Sequence, residues 1–181
     1  NGDAFYEHDF LTGQEQQIAL EEFPTQEMLV ARYYAELHSG KGISDMEKKI
    51  VSQPYYSSQS TYPPRYYQRN AVNRTVEAIA RGQQRLLLVM ATGTGKTYTA
   101  FQIVYRILQS GLKRKILYLA DRNILVDQSI QQDFAPLEKV IHKINVSKDD
   151  KSTITSHEVY FSLYQQLVGD GDKEHLSGLF T

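Results

Sequence analysis

The chain has no cysteine among its 181 residues, so it forms no disulfide and offers no thiolate to a metal. That absence also fits a reducing compartment. No apolar run is long enough to cross a membrane, and no signal-peptide pattern is present. Both predict a soluble, cytoplasmic protein without a membrane partner. The five histidines lack metal-ligand spacing, no Ser/His/Asp arrangement is legible, and no period suggests repeats. Net charge is also small, at -1. That balance conceals an asymmetry. Residues 1–60 carry 4 Lys/Arg against 10 Asp/Glu, residues 61–143 carry 13 against 5, and residues 144–181 carry 3 against 6. The basic middle block suits an anionic partner, either nucleotide phosphates or a nucleic-acid backbone, unless it is simply a solvated surface. The length supports about one domain with a real core.

What the chain does have is the stretch Leu86-Leu87-Leu88-Val89-Met90-Ala91-Thr92-Gly93-Thr94-Gly95-Lys96-Thr97. The apolar run predicts a strand buried on both faces of a parallel sheet. A two-glycine turn, a Lys-Thr pair and an amphipathic helix follow, which is the layout of a phosphate-binding P-loop. The backbone N–H groups of Thr92, Gly93, Thr94 and Gly95 can face phosphates, and the helix starting at Lys96 adds its positive end. Lys96 would reach the β- and γ-phosphates, and the Thr97 hydroxyl would hold Mg²⁺. Met90 stands where the general pattern has its first glycine.

In chain order, residues 1–20 show no sustained period, and Asn1-Gly2 suggests the tail of something begun upstream. Phe23-Pro24-Thr25 predicts a helix to about His38, with Gly40 ending it. A short helix is expected over Asp45–Val51. Residues 52–64, rich in Ser, Tyr and Pro, read as a linker, which places a boundary near residue 60. A helix with Val72, Val76 and Ile79 inward should follow Arg65-Tyr66-Tyr67-Gln68 and stop before Gly82. The P-loop helix should run from Lys96 to Ser110, with Gly111 at its end. Further strands are expected at 115–120, 140–144 and 158–161. Helices are expected at 124–134, capped by Asp121 or Asn123 and ended by Pro136, and at 162–168. Alternating strands and helices predict an α/β doubly wound sheet.

Three constellations carry chemistry. A crossover can return Arg65, Tyr67 and Gln68 to the nucleotide pocket. There Gln68 matches the paired acceptor and donor of an adenine edge, and an Arg or Tyr plane can stack on the base. Alone, Tyr-Gln before a helix is more often structural. Asp121-Arg122-Asn123 follows a strand, at the edge where open α/β sheets bind ligands. Arg122 and the first helix amides, including that of Asn123, could hold a nucleic-acid phosphate; equally, Arg122 could be solvated beside a helix cap. Ser162 and Gln165 follow the next strand at the same edge and could add phosphate contacts.

Together these segments resemble superfamily-two helicases. Arg65-Tyr66-Tyr67-Gln68 is similar to their Q motif and Met90–Thr97 to their motif I, while the residues 119–128 and 161–165 resemble the two motifs that follow. The wording Leu119-Ala120-Asp121-Arg122-Asn123, with Phe23-Pro24-Thr25 upstream, is similar to the motor subunit of type I restriction enzymes. The resemblance covers about residues 20–170. It implies a helical connector over 1–60 from an upstream nuclease domain, and over 61–181 the first part of a RecA-like motor domain. It also implies ATP and Mg²⁺ as cofactors, double-stranded DNA as the track, and methylase and specificity subunits as partners. By it Gln68 would read adenine and Arg122 would lie along the DNA. Another superfamily-two helicase, a small-molecule kinase or other non-motor nucleotide-binding module, and a non-catalytic interaction module remain alternatives.

No Asp-Glu-x-His-type motif follows Gln165, and neither an arginine finger nor nuclease carboxylates are legible. The expected consequence is a sheet without its acidic-motif strand, with Leu86–Met90 and Val159–Phe161 left as exposed apolar edges or faces. The segment alone is then expected to be poorly stable and unable to hydrolyse ATP.

Overall fold

The computed structural model describes residues 2–8, 13–37, 44–59, 61–145, 149 and 156–167. The chain divides into two compact units, Asn1–Asp45 and Met46–Thr181. The boundary expected near residue 60 therefore falls inside the second unit.

In the first unit, β1 (Ala4–His8) and β2 (Glu15–Ala19) form an antiparallel pair, with Ala4 opposite Ala19 and His8 opposite Glu15. This pair was not legible in the sequence because neither strand buries a face, so no apolar alternation marks it. Helix α1 (Gln26–Leu37) starts where Thr25 predicts, its Oγ1 accepting from the Met28 N–H at 3.3 Å. The expected end at His38 and Gly40 lies outside the described residues. Within this unit Arg32 pairs with Glu7 at 2.8 Å, and the Phe5 and Phe23 rings lie 4.4 Å apart.

The second unit opens with α2 (Asp45–Val51), as the sequence predicts. After the extended stretch to Arg65 comes α3 (Tyr66–Ala80), then α4 (Lys96–Ser110). Gly111, at φ +71°, closes α4 by donating its N–H to the Leu108 carbonyl. One face of α4 packs Ile107 against Ile50, Val72 and Val76, joining α2 and α3. The opposite side packs Phe101 and Val104 against Val126, Phe134, Leu137, Val159 and Phe161. The P-loop helix is thus the centre of both cores.

Those last residues come from a parallel three-stranded sheet. Its order is β3 (Ile116–Ala120), β5 (Val159–Leu163), β4 (Ile141–Lys143), with Ile116 and Ile141 both opposite Val159. Between β3 and β4 lie α5 (Asn123–Gln131) and a 3-10 turn over Ala135–Val140 with Pro136 near its start. The sequence reading stopped at that proline and missed the turn. After β5 comes α6 (Tyr164–Leu167), shorter than expected because Ser162 and Leu163 belong to the strand; Val168 lies outside the described residues. The architecture is α/β with parallel strands and helices between them, as the sequence implies.

Two element-level expectations fail. Leu86–Met90 is not a strand: residues 83–91 carry no regular structure, and no described strand pairs with them. Leu87 and Val89 are 89 % and 87 % exposed, against 41 % and 42 % for Leu86 and Leu88. This two-residue alternation is that of an extended chain partly covered on one side and open on the other among the described residues. Conversely, Val159, Tyr160 and Phe161 are fully buried, because β5 is the central strand. Among the described residues no helix is long and apolar enough to cross a membrane.

Candidate functional site

The loop before α4 is shaped by Gly93 and Gly95, at φ +78° and +80°, a region open to glycine at little cost. At Gly95 space is also limiting, since a Cβ there would lie 2.5 Å from Gln68 Nε2. The loop closes on itself. The Ala91 carbonyl accepts from the Thr94 hydroxyl at 2.7 Å and from Lys96 Nζ at 3.2 Å. The Lys96 ammonium is therefore folded into the loop mouth rather than into the core, at the positive end of α4.

Gln68 is buried, and it ties α3 to this loop. Its Oε1 accepts from the Arg65 N–H at 2.8 Å, and its Nε2 donates to the Thr94 carbonyl at 3.0 Å. Two segments 26 residues apart are thereby fixed to each other. A carboxamide has two donors and two acceptor lone pairs, so one of each remains for a ligand.

Three cavities surround the loop. The first, of about 530 Å³, is lined by Tyr62, Pro63, Arg65, Tyr67, Gln68, Gly93, Thr94, Gly95, Tyr98 and Asp133, among others. The second, of about 510 Å³, is lined by Lys96, Thr97, Tyr118, Asp121, Gln128 and Asp133, among others. Tyr67 and Thr94 also border a third, of about 280 Å³, with Leu88 and Met90. The structure thus brings Arg65, Tyr67, Gln68, Gly93, Thr94 and Gly95 to one cavity and sets Lys96 and Thr97 on the adjoining one. Thr92 is exposed on the loop and lines neither of the two larger cavities.

The loop fits a phosphate group: two left-handed glycines open the backbone, space beside Gly93 is empty to 4 Å, and an ammonium waits at a helix start. For a metal ion it offers the Thr97 hydroxyl, and among the described residues no cluster of three His, Asp or Glu side chains gathers.

Sequence reasoning missed Tyr62, Tyr98 and Asp133. Asp133 borders both large cavities, and burial pushes its carboxyl above the ordinary range. Burial likewise raises the Tyr98 hydroxyl, opposed by its hydrogen bond with Gln102 and reinforced by the Asp133 charge. Tyr98 carried a readable signal, since Tyr98, Gln102 and Arg106 recur every four residues as large polar side chains on the helix that also buries Phe101, Val104 and Ile107.

The nucleic-acid candidates divide. Arg122 is exposed and rests only loosely on Asp121, at 3.8 Å. It occupies the N-cap position of α5 without a side-chain cap, so neither Asp121 nor Asn123 caps the helix as expected; Asn123 is its first residue, exposed. Gln165 Nε2 donates to the Asp121 carbonyl at 3.0 Å, which brings these two loops together. Ser162 differs: it is buried, and its hydroxyl donates to Gln166 Oε1 at 2.9 Å, because it lies inside the central strand rather than beyond it. It is not available to a backbone phosphate.

Comparison with known proteins adds a lineage. The model of the ResIII family, described as type III restriction enzyme, res subunit, matches residues 61–180. The chain is 42 % identical over 173 residues to the EcoAI type I restriction enzyme endonuclease subunit of Escherichia coli, covering 93 % of this chain and 20 % of that protein. Among solved structures it is similar to a fragment assigned to an HsdR subunit of a type I restriction enzyme from Vibrio vulnificus. That match has a TM-score of 0.68 at 35 % identity, over 93 % of this chain and 29 % of that one. The UvsW helicase of bacteriophage T4 shares the fold at a TM-score of 0.51 and 23 % identity, over 68 % of this chain and 43 % of that one. The chain spans about a fifth of the length of the curated relative.

Proposed function

Because the chain belongs to the ResIII restriction-enzyme family, we propose that it is part of the ATP-dependent DNA translocase and endonuclease subunit of a type I restriction system. The observation that carries this reading is the bond from Gln68 to the Thr94 carbonyl, which joins a base-reading amide to a phosphate-binding loop. In this reading the first cavity takes the adenine, with Arg65 or Tyr67 against its face and Gln68 on its edge. The N–H groups from Thr92 to Gly95 and the Lys96 ammonium bind the phosphates. Thr97 would hold Mg²⁺, which when bound would supply positive charge to the phosphates. Lys96 must leave the Ala91 carbonyl to reach a γ-phosphate, a swap of one oxygen acceptor for another.

Double-stranded DNA is assigned to the exposed edge formed by Arg122, Asn123 and Gln165. Backbone contacts of this kind position a duplex without reading its sequence. Residues 1–60 then serve as the connector from a nuclease domain, and 61–181 as the first part of motor domain one. The methylase and specificity subunits are the assembly partners, and the cytoplasm is where the complex works.

The test is Lys96→Ala in the full subunit, assembled with its partners. Removing the ammonium leaves both cores untouched, so the expected outcome is an intact fold with DNA-stimulated ATPase reduced at least about a hundredfold, the scale of losing one preorganised charge contact. ATPase at the unmodified level would overturn the reading.

A further inference from the structure

The end of α2 and the stretch after it, part of which the composition marks as a linker over 52–64, are held along the P-loop helix at Ile50, Val51, Tyr56 and Tyr62 by three side chains one turn apart. Tyr98, Gln102 and Arg106 recur at i, i+4 and i+8 and so share one face of α4. Every one of them bonds the backbone of this strap. The Tyr98 hydroxyl donates to the Tyr62 carbonyl at 3.1 Å. The Gln102 carboxamide takes both polar groups of Tyr56, accepting from its N–H at 2.9 Å and donating to its carbonyl at 3.1 Å. Its nitrogen also reaches the Tyr98 hydroxyl at 3.0 Å. Arg106 Nη2 donates to the carbonyls of Ile50 and Val51, at 3.0 and 2.8 Å. These carbonyls end α2, where a helix leaves acceptors unmet and concentrates negative potential.

The anchoring is buried. Gln102 is fully inaccessible and Arg106 is 2 % exposed. The Arg106 guanidinium lies 5.1 Å from the centre of the Tyr55 ring, and its Nη1 donates to Asn73 Oδ1, which also accepts from the Tyr55 hydroxyl. Apolar side chains could press a strap onto a helix, but they would not fix its register. Carboxamide and guanidinium bonds to named backbone groups do, because a slip of one residue breaks all three.

The strap delivers Tyr62, Pro63 and Arg65 to the first cavity. We propose that Tyr98, Gln102 and Arg106 are positioning residues that set the register of residues 50–62 along the P-loop helix, and thereby place the base-binding wall against the phosphate-binding loop. Any displacement of α2 is then transmitted to nucleotide affinity. This rests on the reading of the first cavity as the nucleotide site.

The experiment uses the full subunit in its complex and compares Gln102→Met with the unmodified protein. Methionine keeps the length and volume of the side chain and removes both bonds to Tyr56. The wall binds the base and not the reacting phosphates, so KM for ATP should rise about tenfold while kcat stays within about twofold. Inhibition by tripolyphosphate, which has no base, should stay within about twofold, because the loop itself is unchanged. Tyr98→Phe, which keeps the ring and removes the hydroxyl that bonds Tyr62 and Gln102, should show the same split more weakly and guards against misfolding of the first variant. An unchanged KM in both variants, or an equal loss of ATP and tripolyphosphate binding, would overturn the inference. Absence of ATPase in the unmodified complex would instead overturn the nucleotide reading on which it rests.

Discussion

At the residue scale, Gln68 makes its structural bonds within the described fold, and its recognition of a base is the proposal. Its amide fastens the start of α3 to the phosphate loop while keeping one donor and one acceptor for a ligand. Gln68→Ala is expected to reduce the preference for ATP over GTP by about 1–3 kcal/mol, measured as the ratio of kcat/KM values for the two nucleotides. Equal use of both by the unmodified complex would remove the base-reading role. Asp133 makes a different prediction. Burial favours its protonated form, so the folded state binds a proton more tightly than the unfolded chain. The stability this gives is complete below the ordinary carboxylate range and lost as pH rises through the higher folded value. Asp133→Asn should therefore raise Tm at pH 7, with the gain shrinking as pH falls towards about 4. A gain that grows towards acid would contradict the assignment.

At the scale of elements, the helices were the legible part. Val72 and Val76 in α3 and Val104 and Ile107 in α4 keep helical spacing, and glycines stand just beyond both helices. The P-loop was legible because its glycines must adopt positive φ whatever surrounds them. What composition could not tell is which partners an apolar run meets. Leu86–Val89 and Val159–Phe161 look alike as strings, yet one is bare and the other is central, since strand burial is decided by neighbours distant in sequence. The strap of residues 52–59 was misread for the opposite reason: it is anchored through the backbone of Tyr56 by Gln102 of α4, which leaves no period in its own sequence. The two apolar runs should respond differently to mutation. Leu87→Lys should change the stability of this chain by no more than about 0.5 kcal/mol, as at an ordinary surface site. Phe161→Ala, which empties the contact with Tyr118 and Phe134 at 4.7 and 5.1 Å, should cost about 3–5 kcal/mol. Denaturant midpoints at constant slope decide both.

At the scale of the whole molecule, two cores share one helix, so whatever orders α4 orders the unit. In the proposed reading the described residues provide a phosphate cradle and a base wall, whereas P-loop chemistry also needs carboxylates on the metal and water, and usually an arginine on the transition state. Residues 1–181 by themselves are expected to bind nucleotide weakly and not to turn it over, which a DNA-stimulated ATPase assay on the isolated chain would check. Sustained turnover would mean that these groups reside here after all. The bare segment from Gln83 to Ala91 carries a consequence in the heat of binding. The loop is clamped on its α4 side and by Gln68, while among the described residues no strand ladder holds its other arm. A nucleotide must therefore immobilise that arm as it binds, and calorimetry on this chain should record a favourable enthalpy largely cancelled by lost entropy. In an assembly where the arm is already paired, the same contacts would form with that ordering done beforehand, and affinity would rise with no new contact made to the ligand.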